Sequence, residues 1–291
     1  MPHETSYPPL NVPKQVADGV WIVDAPPLRA GGMPLPVRMT VIRLSGGELL
    51  LHSPVAYTAG LQRALETIGR IGHLVAPSVG HWLFLRDWQS ACPGSVTWAV
   101  PGLRDRGQVR RAGVRIDAEL GDEPPSIWAG EIDQVLVVGP VFKEVCLFHR
   151  PSRTLLLTDL VINLEADRLP LLARPLARLL GIVAPDGKAP LYLRLLLRTK
   201  RHEVALAARR LVEFDPERVI FAHGRWFRRD AAEQLRDSLA WLLGPSGGAG
   251  RARVSAFGDR TPAPARVSTL FAGVALICVI GALAYARRRS R

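Results

Sequence analysis

The sequence predicts an α/β fold, and three observations carry that prediction. Short apolar runs of strand length recur between residues 20 and 224, stretches with helical periodicity separate them, and Gly, Pro or Asn closes most of the runs. At 291 residues, 48% apolar and 22% charged, the chain is large enough to bury a sizeable core and too apolar to be disordered throughout. The order is strands and a hairpin, a helix, a strand, a sharp corner, a helix and a strand. A second set of strands then follows and ends in a helix. This suits two packed sheets with helices outside, and equally a doubly wound sheet, because periodicity alone does not separate them.

Residues 1–17 are Pro-rich and polar and read as an extended lead-in. VWIVDAP (20–26) is a strand, and MTVIRLSGGELLLHSPV (39–55) is a hairpin turning on Gly46-Gly47. Next comes a helix with Thr58 as N-cap, one face of Leu61, Leu65 and Ile68, and Gly69 near its end. HLVAP is a short buried strand that stops at the corner Pro77-Ser78-Val79-Gly80, after which HWLFLRDWQSA (81–91) reads as a helix. VTWAV (96–100) is a strand, 103–130 is polar and irregular, DQVLVVG (133–139) is a strand, and 144–163 reads as two strands joined at 150–153. Residues 164–201 change character, with eight basic residues against three acids and many leucines. RLPLLARPLARLL (168–180) and LYLRLLLRTKR (191–201) are expected to turn their leucines to the core. The alternative is an amphipathic surface beside a membrane. A helix, the strand RVIFAHG (218–224) and a helix over 229–244 complete a domain of residues 18–244.

The net charge of +12 is unevenly spread. Residues 251–291 hold eight arginines and one acid, or +7, which leaves +5 for residues 1–250, so nucleic acid is not an expected partner. The arginines surround VSTLFAGVALICVIGALAYA (267–286), an uncharged segment whose helix would span about 30 Å, the thickness of a bilayer core. The expectation is a linker at 245–266, a single transmembrane helix at 267–286 contacting membrane lipid, and a basic tail at 287–291. MPHETSYPPL has no signal-peptide pattern, so the main domain is expected in the cytoplasm, while arginines on both sides leave the orientation of the helix open. Cys92, Cys146 and Cys278 match no zinc or redox spacing.

Of seven histidines, His3 and His202 read as surface residues, His73 as structural, and His149 as equally able to face in or out. His52, His81 and His223 each fall at or just past the C-terminal end of an expected strand, as does Asp159. Sites assemble at such ends because loops converge there over a rigid sheet. Two imidazoles and one carboxylate, from 81, 159 and 223, could hold one zinc or iron ion and leave positions open for water or a small-molecule substrate. Ser53 and Ser78 show no base-and-acid set in the sequence, so a serine hydrolase is not expected.

GVWIVDAP, LLLHSPV, LVAPSVGHW, RTLLLTDL and VIFAHGRW stand in the order of the metallo-β-lactamase fold. More closely, GELLLHSPV, LVAPSVGHWLFLRDW, PGLRDR, AELGDEPPSIWAGEIDQVLV and FHRPSRTLLLTDL resemble an uncharacterised family, a domain of unknown function with a degenerate version of that fold. The resemblance covers residues 15–244 and implies a four-layer αββα sandwich. The superfamily's enzymes carry T-H-x-H-x-D-H at the corner, where this chain reads Ala76-Pro77-Ser78-Val79-Gly80-His81-Trp82. In one register His81 stands at the aspartate position and in the other at the last histidine. Neither register supplies the first two histidines. The next histidine of the pattern is also missing near the 144–149 strand, where Glu144 stands instead. The resemblance therefore implies that one metal position is lost and that His81, Asp159 and His223 remain around the other, with His52, Ser53, Trp82 and Glu144 lining the pocket. It implies either a mononuclear metal-dependent hydrolase, which the apolar segment 267–286 would anchor in a membrane, or a binding or scaffold protein that keeps the fold without metal chemistry.

Overall fold

The apolar runs pair into two sheets. In the computed structural model, which describes residues 5–30 and 33–244, the first sheet takes its strands in chain order: β1 (Lys14–Ala17), β2 (Val20–Ala30), β3 (Met33–Arg43), β4 (Glu48–His52), β5 (Arg70–Ala76), β6 (Val96–Ala99) and β7 (Ala118–Glu119). The second runs β11-β10-β9-β8, from β8 (Ile132–Val138), β9 (Lys143–His149), β10 (Thr154–Leu157) and β11 (Arg218–Phe221). The helices are α1 (Ala59–Glu66), α2 (Leu85–Ala91), α3 (Gly107–Arg111), α4 (Arg174–Leu180), α5 (Leu191–Leu197), α6 (Arg201–Glu213) and α7 (Ala231–Leu243).

The long β2–β3 pair is antiparallel, and its register shifts between Ala25 and Leu28, where Pro26 and Pro27 have no N–H to give the ladder. The β3–β4 hairpin turns as expected, with Gly47 at φ +82 and its N–H donating to the Leu44 carbonyl. From β4 to β7 the strands are parallel, and so are β10 and β11. β4, β5, β9 and β10 are buried almost end to end, which requires cover on both faces. Helices α1 and α2 pack on β5, α6 on β8 and α7 on β11, while one continuous core joins both sheets. The result is the αββα layering, and the single doubly wound sheet is excluded. Each fully buried leucine of that core contributes about 1.5–3 kcal/mol. Thr58 caps α1 through a hydrogen bond from the Leu61 N–H, as its position suggested.

Three local expectations are corrected. The lead-in is not wholly irregular, since its last four residues form β1 and Lys14 pairs with Asp24 at 2.6 Å. The helix after the corner starts at Leu85 rather than at His81. Residues 81–84 form turns closed by His81 N–H to Ser78 O and Leu85 N–H to Trp82 O. The stretch 103–130 contains α3 and β7.

The leucines of 168–201 divide. Leu169, Leu193 and Leu197 are buried, whereas Leu171, Leu172, Leu176, Leu179, Leu191 and Leu195 are exposed, which overturns the core-facing expectation for those six. Among the described residues no helix is long and apolar enough to cross a membrane. The expected linker (245–266), transmembrane helix (267–286) and basic tail (287–291) lie outside the described residues, as does His3.

Candidate metal centre

The C-terminal ends of parallel strands from both sheets meet at one place. β5 ends at Ala76 and leads into the corner that carries His81. β10 ends at Leu157, two residues before Asp159, and β11 ends at Phe221, two residues before His223. One ligand atom from each of His81, Asp159 and His223 lies within 4.8 Å of the others, and among the described residues they form a group that could hold a metal ion. His81 Nε2 is 3.4 Å from Asp159 Oδ2, and His223 Nε2 is 3.5 Å from Asp159 Oδ1. Both distances exceed the 2.7–3.2 Å of a good N–H···O hydrogen bond. They are close to the edge of about 3.3 Å that tetrahedral ligands at roughly 2.0–2.1 Å from one ion require.

The tautomers support the same fit. His223 Nδ1 lies 2.8 Å from the Pro36 carbonyl, which can only accept, so Nδ1 carries the proton. In the neutral ring, Nε2 is then a lone pair facing a carboxylate oxygen, an approach that either a metal ion between them or a proton on Nε2 makes favourable. His81 Nδ1 lies 2.6 Å from Ser53 Oγ, a hydroxyl that can accept as well as donate. With Nδ1–H donating to Ser53, the Nε2 lone pair of His81 is also free for a cation. Burial pushes the Asp159 carboxyl up, but in the metal-free site the charge and N–H groups of His81 and His223 outweigh it and hold the group well below the usual carboxylate range. The carboxylate keeps 26% of its side-chain surface open, so solvent reaches it.

Around these three, the chain fixes each loop. Ser78 Oγ donates to Asp159 Oδ2 at 3.1 Å. Glu144, fully buried in β9, accepts from the backbone N–H groups of Thr158 (2.6 Å), Asp159 (2.9 Å) and Leu160 (3.0 Å). Burial, and then the nearby Asp159 charge, push its carboxyl up to about 7 against the hydrogen bonds from Thr158 and Asp159. His223 sits in a turn strapped on two sides. Gly224 (φ +94) has no room for a side chain, since a Cβ would lie 2.1 Å from the Asn163 carbonyl oxygen. The buried Arg38 donates to the carbonyls of Phe221 (3.1 Å) and Gly224 (2.7 Å) and is held by Asp24 at 2.7 Å.

The other expected pocket residues are placed differently. Ser53 touches His81, at φ +57, a backbone conformation uncommon for a residue other than glycine. His52 is buried behind it, its Nε2 has no partner among the described residues, and burial pushes its pKa down to about 3, so it is neutral and lies outside the cluster. Trp82 packs into the core, and Glu144 lies beneath the site rather than along its wall, because each is buried among the sheets. The absence of a base-and-acid set beside the serines is also corrected, since Ser53 meets His81 and Ser78 meets Asp159. His73 is bonded to Glu48 and Trp98, His149 is buried against Ser152, and His202 is exposed. Sequence reasoning missed Pro36, Arg38 and Asn163, whose roles rest on contacts far apart in the chain.

Residues 18–181 match a family model described as Domain of unknown function (DUF4336). No curated protein matches the chain. Solved structures show the fold. A metallo-beta-lactamase from Pontibacter korlensis is 14% identical with a TM-score of 0.53, the alignment covering 80% of this chain and 99% of that one. A metallo-beta-lactamase from Hirschia baltica is 13% identical with a TM-score of 0.54, covering 79% and 96%. The metal-soaked Flv1 flavodiiron core from Synechocystis sp. PCC6803 is 12% identical with a TM-score of 0.57, covering 79% of this chain and 60% of that one.

Proposed function

The chain belongs to the DUF4336 family, and from that premise we propose that it is a metallo-β-lactamase-fold protein holding one zinc or iron ion at His81, Asp159 and His223 and acting as a hydrolase on a small ester or thioester. The observation that carries the reading is the pair of 3.4 and 3.5 Å approaches to one carboxylate, with His223 Nδ1 already committed to the Pro36 carbonyl. Three ligands leave positions open, as catalytic sites require, whereas structural zinc sites close all four. A metal bound there would acidify a coordinated water toward neutral pH and so supply a hydroxide nucleophile. The chain's own part is orientation: Ser53 holds the ring of His81 and can accept its Nδ1–H, Ser78 aims Asp159, Pro36 sets His223, and Glu144 and Arg38 hold the two turns. A two-metal centre is not supported, because the corner has no histidine before His81.

Zinc titration of the full chain tests this. One equivalent is expected to bind, and Ser53→Ala is expected to weaken binding about 10-fold, the lower end of the effect of losing a group that orients a ligand. No stoichiometric zinc, iron or manganese on the wild-type chain would sink the reading. That result would favour the second reading, a binding or scaffold protein without metal chemistry. Its supporting observation is that Ser53 and Ser78 already give His81 and Asp159 hydrogen-bond partners.

The same proposal anchors the chain in a membrane by residues 267–286, with the main domain cytoplasmic. The full chain is expected in the membrane fraction, resistant to alkaline carbonate and released by detergent. Recovery in the soluble fraction without detergent would contradict it.

A further inference from the structure

We propose that the exposed face formed by residues 171–201 docks on the surface of an anionic lipid bilayer. Leu171 and Leu172 lie on a short 3-10 turn, Leu176 and Leu179 are spaced i, i+3 on α4, and Leu191 and Leu195 are spaced i, i+4 on α5, which packs on α4. All six are exposed, and Leu172 keeps 95% of its surface. Six of the ten exposed large apolar side chains among the described residues fall within 171–195, so this is a patch rather than the ordinary scatter of surface leucines. The opposite side of the same segment is buried. Leu169, Ala177 and Ile182 pack with Ile162 and Leu164, so the fold has fixed which leucines remain outside.

Charge selects the occupant. Residues 170–201 contain seven basic side chains and one acid, Asp186. Arg178, Arg198 and Arg201 are exposed, and no acid among the described residues lies within ion-pair distance of them. Leucines beside unpaired guanidinium groups fit the interface of a bilayer with anionic headgroups, where apolar chains enter the acyl boundary and arginines meet lipid charge. A water-soluble protein partner would need a matching acidic and apolar surface, whereas an anionic bilayer presents both properties everywhere.

The path of the chain points the same way. Trp241, near the end of α7, lines a depression together with Arg198 and Arg201. The chain therefore leaves the described domain beside the basic end of this face, and its next 47 residues include the uncharged segment 267–286. The proposal does not depend on the metal centre. It does bear on it, because the segment grows directly out of the Asp159 loop: Leu164 bridges to Val183 and Asn163 to Gly224.

The test is amide hydrogen exchange of the full chain reconstituted into phosphatidylcholine vesicles with and without phosphatidylglycerol. Exchange at 171–179 and 191–198 is expected to slow in the anionic vesicles, by about fivefold for each arginine that comes within reach of lipid charge. The double variant Leu172→Glu, Leu179→Glu alters only exposed side chains, so it should fold and melt like the wild type yet lose that slowing. Exchange that is the same with and without the anionic lipid overturns the proposal, whether the face is bare or covered by residues 267–286 or by a second copy. Slowing that survives the double variant overturns it as well.

Discussion

Replacing Asp159 by asparagine is expected to abolish tight metal binding while leaving the fold intact. The carboxylate lies between both imidazoles, with Oδ2 toward His81 and Oδ1 toward His223. Removing a side chain that merely orients a ligand costs about 10–100-fold in affinity, so losing the central anionic ligand should cost at least about 100-fold. Asparagine has nearly the same shape, and its amide N–H₂ can donate to an imidazole lone pair, so the apo protein keeps a partner for His223. The two effects therefore separate. At zinc 100-fold above its dissociation constant, the wild type gains about 2.7 kcal/mol, which for a domain of this size raises Tm by roughly 5–10 °C. Asp159→Asn should melt near the metal-free wild type and show no such rise. Equal zinc stoichiometry and an equal rise in both proteins would remove Asp159 from the site, and with it the proposed centre.

Much of the fold is legible in the sequence because its signals are local. The run at 133–139, the Gly46-Gly47 turn and the Thr58 cap each depend on neighbours within a few residues, and each forms where it was expected. The juxtaposition of His81, Asp159 and His223 is legible only through their shared position at strand ends, supplemented by the resemblance to a known fold. What holds them is not legible. The partner of His223 Nδ1 lies 187 residues away at Pro36, and Arg38 reaches Gly224 across 186 residues. A backbone carbonyl at such separation leaves no mark on residue type. The 168–201 segment failed for another reason. Periodicity identifies an apolar stripe, but it does not say whether a second layer exists to cover that stripe, and here Leu172 and Leu179 have none among the described residues. Glu144 was misread because a carboxylate at an expected ligand position suggests a pocket wall, whereas its oxygens are taken by the backbone beneath.

That role makes Glu144→Ala the substitution with the largest expected cost in stability. Its two carboxylate oxygens accept three N–H groups, Oε1 from Thr158 and Oε2 from Asp159 and Leu160. Alanine would leave those donors without an acceptor in a place water does not reach. Each orphaned donor costs about 1–3 kcal/mol, so for three donors a loss of roughly 3–9 kcal/mol is expected, a large part of the 5–15 kcal/mol that holds a typical domain folded. The opposing argument is that burial disfavours the carboxylate, which is why its pKa is pushed up to about 7. If that penalty dominated, a neutral isostere would stabilise the protein. Glu144→Gln decides between the two. Glutamine is uncharged, but it offers one acceptor oxygen in place of two and sets its own N–H₂ against at least one backbone donor. Because geometry already commits both oxygens, the donors should win, and Gln should cost about 1–3 kcal/mol, less than Ala but not a gain. Urea or thermal melts give the order wild type, Gln, Ala, and hydrogen exchange should quicken first at residues 158–160. A Gln variant more stable than the wild type would mean that charge burial outweighs the turn. The consequence then reaches the site, since one of the three N–H groups belongs to Asp159 itself, and a turn that loosens there carries the central carboxylate away from both imidazoles.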